Sequence, residues 1–178
     1  MIAAVDALKT PDQHFEEIYK SHHKRVLGLC RYLLNSSDKA EDASHEVFLK
    51  AHAKWSSYDA AQPLSSWLLK IASNHCIDVL RRRQTEQRIF DLEPGEAWDA
   101  PSKGASPLAE ILASERSKDV RSALGALPDK YRTPLVLAYF NELSYDEIGE
   151  ILGVPRTQVA VLVFRGKQQL RQRLIKEN

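Results

Sequence analysis

The chain has 178 residues, 43% hydrophobic and 28% charged. This is the composition of a folded, soluble protein, not of a disordered chain, with room for one ordinary or two small domains. The longest apolar run, Val159 to Phe164, is too short to span a bilayer, and Met1 to Lys9 lacks the basic-then-apolar order of a signal peptide, so a cytoplasmic location without membrane insertion is expected. The net charge of +1 hides an asymmetry: residues 14–88 carry +3, residues 89–115 carry −5 and residues 116–178 carry +4. Two basic modules thus flank an acidic connector.

Helical periodicity dominates in chain order, and no alternating strand pattern is convincing. Phe15, Ile18, Tyr19, Val26, Leu29, Cys30, Leu33 and Leu34 recur at helical spacing. Asn35-Ser36-Ser37 breaks the run. Asp38 with Glu41 then reads as the start of a second helix that continues through Val47, Phe48, Ala51 and Trp55. Ser56 to Pro63 is a polar loop carrying Tyr58. A third helix follows over about Leu64 to Arg83. Its wheel puts Leu68, Ile71, Ala72, His75 and Val79 on one face and Lys70, Ser73, Asn74, Ile77 and Arg81 on the other. Cations, an amide and apolar surface beside Tyr58 and Trp67 suit a single strand whose bases have left the stack, although a solvated face over core aromatics reads the same way.

Asp91 to Pro107 holds three prolines, two glycines and several acids, the composition of a flexible linker. Further helices are expected at about 107–126, 129–140, 145–152 and 156–174. Ser144 to Glu147 has the form of a capping box, and Ile148 and Leu152 face inward around the small Gly149. Gly153 suits a left-handed turn, and Pro155 stands where a second helix would begin. This is a helix-turn-helix pattern, shared in outline with ordinary αα-corners. In a DNA-binding reading, Arg156, Thr157 and Gln158 reach base edges or phosphates, Val161 lies one turn further on, and Arg165, Lys167, Arg171 and Arg173 add positive charge.

Catalytic chemistry finds little support. Cys30 and Cys76 sit within helical patterns, and neither belongs to a CxxC. His22 and His23 are neighbours about 100° apart on a helix and form a poor chelate. A metal hydrolase using them with His45 would lack an HExxH-type spacing. No enzyme activity, cofactor or metal is expected.

Three blocks, in order, resemble one family. Ala40 to Ala51 is similar to the core-polymerase-binding helix of extracytoplasmic-function sigma factors. Ser66 to Asn74, followed by Ile77 to Arg83, resembles their −10 helix, and Leu127 to Arg132 through Gly153-Val154-Pro155 resembles their −35-binding domain. The similarity runs from Phe15 to Leu174. It implies an all-α fold of two small helical domains: a tail at 1–13, a region 2-like bundle at 14–88, an acidic linker at 89–107 and a region 4-like helix-turn-helix domain at 108–178.

The resemblance implies a factor that directs RNA polymerase to promoters. Its partners would be core RNA polymerase (through the β′ clamp helices and β flap), promoter DNA and, as an off state, an anti-sigma factor. Glu41, Asp42, Glu46, Val47 and Phe48 would meet the clamp helices. Tyr58, Trp67, Lys70, Asn74, Arg81, Arg82 and Arg83 would hold the −10 element, and the loop at 56–66 would capture a flipped base. Arg156, Thr157, Gln158, Val161, Arg165 and Lys167 would meet the −35 element. Where the family has Gly-Thr-Val-Lys-Ser-Arg, this chain has Thr157 to Leu162, losing two cations and leaving Val161 for a thymine methyl. The alternative is a helix-turn-helix regulator whose N-terminal half binds a ligand or partner.

Overall fold

The computed structural model describes residues 11–83, 89–91 and 117–176, and no strand occurs among them. Helix α1 spans Pro11–Leu34, so the expected tail is helical from Pro11 onward. Residues 1–10 lie outside the described residues. Proline suits a first turn, where its missing N–H has no intrahelical partner to lose. The helix ends where Asn35 takes a left-handed φ of 50°, a conformation asparagine tolerates better than most residues.

Helix α2 spans Ser37–Ala53, with Ser36 in extended backbone as its N-cap in place of the expected Asp38. Glu41 closes no capping box and accepts instead from Arg31 at 3.3 Å. Its buried stripe of Ala40, Ala43, Val47 and Ala51 is mostly small, which lets α2 lie close to its neighbours. After a 3₁₀ turn at Trp55–Ser57, helix α3 spans Leu64–Arg83. The Pro63 carbonyl starts α3 by accepting the N–H groups of Ser66 and Trp67 at 3.0 and 3.2 Å. Leu29, Cys30 and Leu33 from α1, Phe48 from α2, and Leu69, Ala72, Cys76 and Leu80 from α3 are buried within one apolar core.

The second half is built from α4 (Ser117–Gly125), α5 (Asp129–Tyr139), α6 (Tyr145–Leu152) and α7 (Arg156–Lys176). The helix expected from 107 lies partly outside the described residues, as does most of the linker. Ile89 and Phe90 are nevertheless buried, so the described start of the expected linker is an apolar anchor. The capping box at α6 forms as expected: the Glu147 N–H donates to Ser144 Oγ, and the Ser144 N–H donates to the Glu147 carboxylate. Gly153 closes α6 at φ 71°. A Cβ on Gly149 would stand 2.7 Å from the Val154 carbonyl oxygen, so only glycine permits this turn without a shift.

The halves pack against each other. Arg132, in α5, donates from Nη2 to the Leu33 carbonyl at 3.2 Å, and Asn35 Nδ2 donates to the Gly125 carbonyl at 3.0 Å. The rings of Tyr32 and Phe140 lie 4.2 Å apart. The buried residues of both halves form a single cluster.

Candidate nucleic-acid and protein interfaces

On α2 the outward stripe consists of Asp42, His45, Glu46 and Leu49, at i, i+3, i+4 and i+7. Leu49 is 65% exposed among three polar neighbours. Val47 and Phe48, expected at the same surface, are instead buried. Phe48 meets Tyr19 edge-on at 4.7 Å and Phe15 at 6.4 Å, so it holds α1 to α2 and is not displayed to a partner. Leu49 is the apolar residue that α2 displays outward, and the sequence reading did not single it out; its seven-residue step from Asp42 places it on that stripe. Glu41 is exposed and shares an exposed ion pair with Arg31, which contributes little.

Tyr58 and Trp67 come together as expected, around a third ring that was not singled out. Trp55 stacks on Tyr58 at 5.2 Å and meets Trp67 at 6.0 Å, with Tyr58 and Trp67 5.1 Å apart. The Tyr58 hydroxyl donates to the Gln62 carbonyl and the Ala61 N–H donates to Asp59, so the loop carries its own internal bonds. Lys70 and Asn74 are exposed one turn apart on α3, with Asn74 Nδ2 donating to the Lys70 carbonyl at 2.9 Å.

The wheel reading of α3 needs one correction. Ser73 and Ile77, placed on the outward face, are buried, while Ile71, His75 and Val79 are only partly covered. The second half covers that side: Asn141 Nδ2 donates to Ser73 Oγ at 2.9 Å, and Ser73 donates to the Leu69 carbonyl. His75 Nδ1 lies 2.8 Å from Lys50 Nζ. Burial, and then the Lys50 charge, hold His75 below its ordinary value of 6.5, so the neutral ring accepts from the ammonium.

Of the three terminal arginines, Arg82 and Arg83 are exposed. Arg83 donates weakly to the Leu34 carbonyl at 3.4 Å. Arg81 is half-buried and donates to the Leu152 carbonyl, the C-terminal end of α6, at 2.8 Å. A cleft of about 490 Å³ opens beside it, lined by Arg82 and Phe90 on one side and Gly153 and Val154 on the other.

At the start of α7, Arg156 and Thr157 are exposed, and Arg156 pairs with Asp146 across the turn at 3.4 Å. Gln158 is half-buried and donates to the Phe90 carbonyl at 2.6 Å. Val161 is 2% exposed, which removes it as a thymine-methyl contact in this arrangement. Val159 and Leu162 are buried as expected. Arg165 is half-buried, and Lys167 turns back over the Tyr139 ring at 5.1 Å, a cation–π contact. The cationic surface of α7 is therefore carried by its ends, Arg156 and then Arg171 and Arg173.

Among the described residues no group of three or more His, Cys, Asp or Glu side chains is placed to hold a metal ion. Both cysteines are buried, and hydrogen bonding to Cys30 together with burial pushes the Cys76 thiol up, away from the reactive thiolate. No helix among the described residues is long and apolar enough to cross a membrane.

Comparison with known proteins agrees with this geometry. The sigma-70 region 2 family matches residues 18–86, and the sigma-70 region 4 family matches residues 117–170. The chain is 32% identical to the ECF RNA polymerase sigma factor SigW of Bacillus subtilis, over 96% of this chain and 94% of that one. It is 29% identical to SigM of the same organism, over 88% and 92%. Among solved structures, the sigma factor RpoE of Bartonella quintana, crystallised with the anti-sigma factor NepR, superposes with a TM-score of 0.60 at 23% identity and shares the fold over 92% of this chain and 97% of that one. With both sigma regions matched in order and a full-length relative above 30% identity, the chain belongs to the extracytoplasmic-function RNA polymerase sigma factors.

Proposed function

We propose that this sigma factor opens promoters with the face formed by Trp55, Tyr58 and Trp67 next to Lys70 and Asn74. The observation that carries the reading is the three-ring cluster beside an exposed amide and ammonium. A base leaving the duplex at a cost of roughly a few kcal/mol can stack or bind there while the cation meets the adjacent phosphate. The module at 14–88 performs this step and binds the β′ clamp helices through Asp42, Glu46 and Leu49. The module at 108–178 meets the −35 element through Arg156 and Thr157 and the β flap through its remaining surface.

Polymerase supplies the chemistry and this chain the positioning, in the cytoplasm. The relation to RpoE, solved with NepR, supports an anti-sigma protein as a further partner. The regulator alternative is not favoured, because its N-terminal half would not match sigma region 2.

Run-off transcription from a cognate promoter tests the reading. Lys70→Ala and Asn74→Ala should each lower open-complex formation about tenfold, the order of one lost charge-assisted or base contact. Co-purification with core polymerase should persist. Unchanged run-off in both variants refutes the assigned face.

A further inference from the structure

We infer that Asp146 is a positioning residue for Arg156, holding its guanidinium so that the outer edge reads a single guanine in the −35 element. The inference rests on the reading above, which places Arg156 and Thr157 at that element. It adds which base is read and what aims the side chain.

Folding narrows the set of residues that can read. Of the side chains expected at the −35 element, Gln158 is held by the Phe90 carbonyl and Val161 is buried. Arg165 is half-buried, and Lys167 lies over the Tyr139 ring. Arg156 and Thr157 are exposed in the first turn of α7, the part of a recognition helix that meets base edges. Residues 157–162 carry no cation, so Arg156 is the charge at this end of the helix.

A cation in the first turn opposes the helix dipole, so Arg156 does not stand there for the sake of α7. Asp146, in the first turn of α6, places Oδ2 3.4 Å from Arg156 Nε across the turn. The two side chains are 63% and 73% exposed, and a pair so exposed adds little to stability. The Arg156 charge also acts on the buried Tyr145 next to Asp146, opposing the rise that burial gives its hydroxyl. Arg156 is thus drawn toward the start of α6.

Contact through Nε sets the direction of the rest. A guanidinium is a rigid, planar fork of N–H donors. With Nε turned to the carboxylate, the Nη1–Nη2 edge faces outward and matches O6 and N7 of guanine. Adenine, thymine and cytosine edges in the major groove lack that pair of acceptors. The carboxylate also repels phosphate, which keeps Arg156 off the backbone, where it would carry no sequence information.

Holoenzyme assembled from core polymerase and each variant, selecting DNA from promoters randomised across the −35 element, tests this. Wild type should favour guanine at one position by about tenfold or more, the order of one bidentate contact. R156A should lose that preference and keep the others. R156K keeps the charge without the fork and should lose it as well. D146N should lower the preference to about threefold or less, as Arg156 moves to phosphate. The same variant should bind guanine-free promoters more tightly, with a salt dependence steeper by about one phosphate contact. D146N/R156A should match R156A, because Asp146 acts through Arg156.

The urea midpoint of D146N should stay within about 0.3 M of wild type. A carboxylate that serves only the α6 dipole would instead lower that midpoint and leave the guanine preference intact, which overturns the proposal. No guanine preference in wild type, or one that R156A abolishes and D146N leaves unchanged, overturns it too. An R156A profile identical to wild type refutes the −35 assignment of Arg156 itself, so failure of the underlying reading and failure of the positioning role give different results.

Discussion

Arg132 offers the sharpest test of how the second half is held. The residue is 4% exposed, and burial pulls its pKa down while Asp129 acts in the opposite direction. It donates to the Leu127 carbonyl at 2.9 Å and the Leu33 carbonyl at 3.2 Å, and it pairs directly with the Asp129 carboxylate. Arg132→Met retains the stem but leaves Asp129 and two carbonyls without this partner. Removing one member of a buried pair costs about 3–5 kcal/mol. Lysine cannot reproduce the fork, so Arg132→Lys should recover only part of the loss. At a urea slope of about 2 kcal/mol/M, the Arg132→Met midpoint should fall by roughly 2 M in far-ultraviolet circular dichroism. The double variant D129N/R132M should regain about 1–2 kcal/mol, because no bare carboxylate remains. A midpoint for Arg132→Met within about 0.3 M of wild type would refute this account of the residue.

Three further outcomes follow from burial and charge. Phe48→Ala should cost about 3–5 kcal/mol of stability, whereas Leu49→Ala should change stability by less than about 0.5 kcal/mol and weaken pull-down of core polymerase; the reverse pattern contradicts the exposures found here. Val161→Ala should lower the urea midpoint through loss of about 1.6 kcal/mol of buried methyl surface, and a change of promoter preference at full stability would argue for a reading role instead. His75 titrates lower in the folded chain than in the unfolded one, so the unfolded state binds more protons below pH 6.5. Its contribution is therefore complete above about that pH and is lost as the pH falls toward the folded pKa; His75→Gln should flatten this part of the urea-midpoint profile.

What could be read from the sequence was local. Ser144, Glu147, Gly149 and Gly153 specify the start, close approach and end of α6 through bonds that span at most five residues, and all four behave as expected. The bounds of α3 were equally legible, because Pro63 and the periodic apolar positions act over single turns. Its faces were not. Periodicity orders residues around a helix, but which arc is buried depends on what lies opposite: Ser73 is buried where Asn141 of the second half meets it, and Ile77 is buried in the shared core. The same reason separates Phe48 from Leu49: adjacent positions point about 100° apart, and only the placement of α1 decides which one is covered. Gln158 and Arg81 show the limit most clearly. Their chemistry suits DNA, yet partners 68 and 71 residues away in the chain occupy them here. No local pattern encodes contacts at that separation, because they arise only when two modules fold and meet.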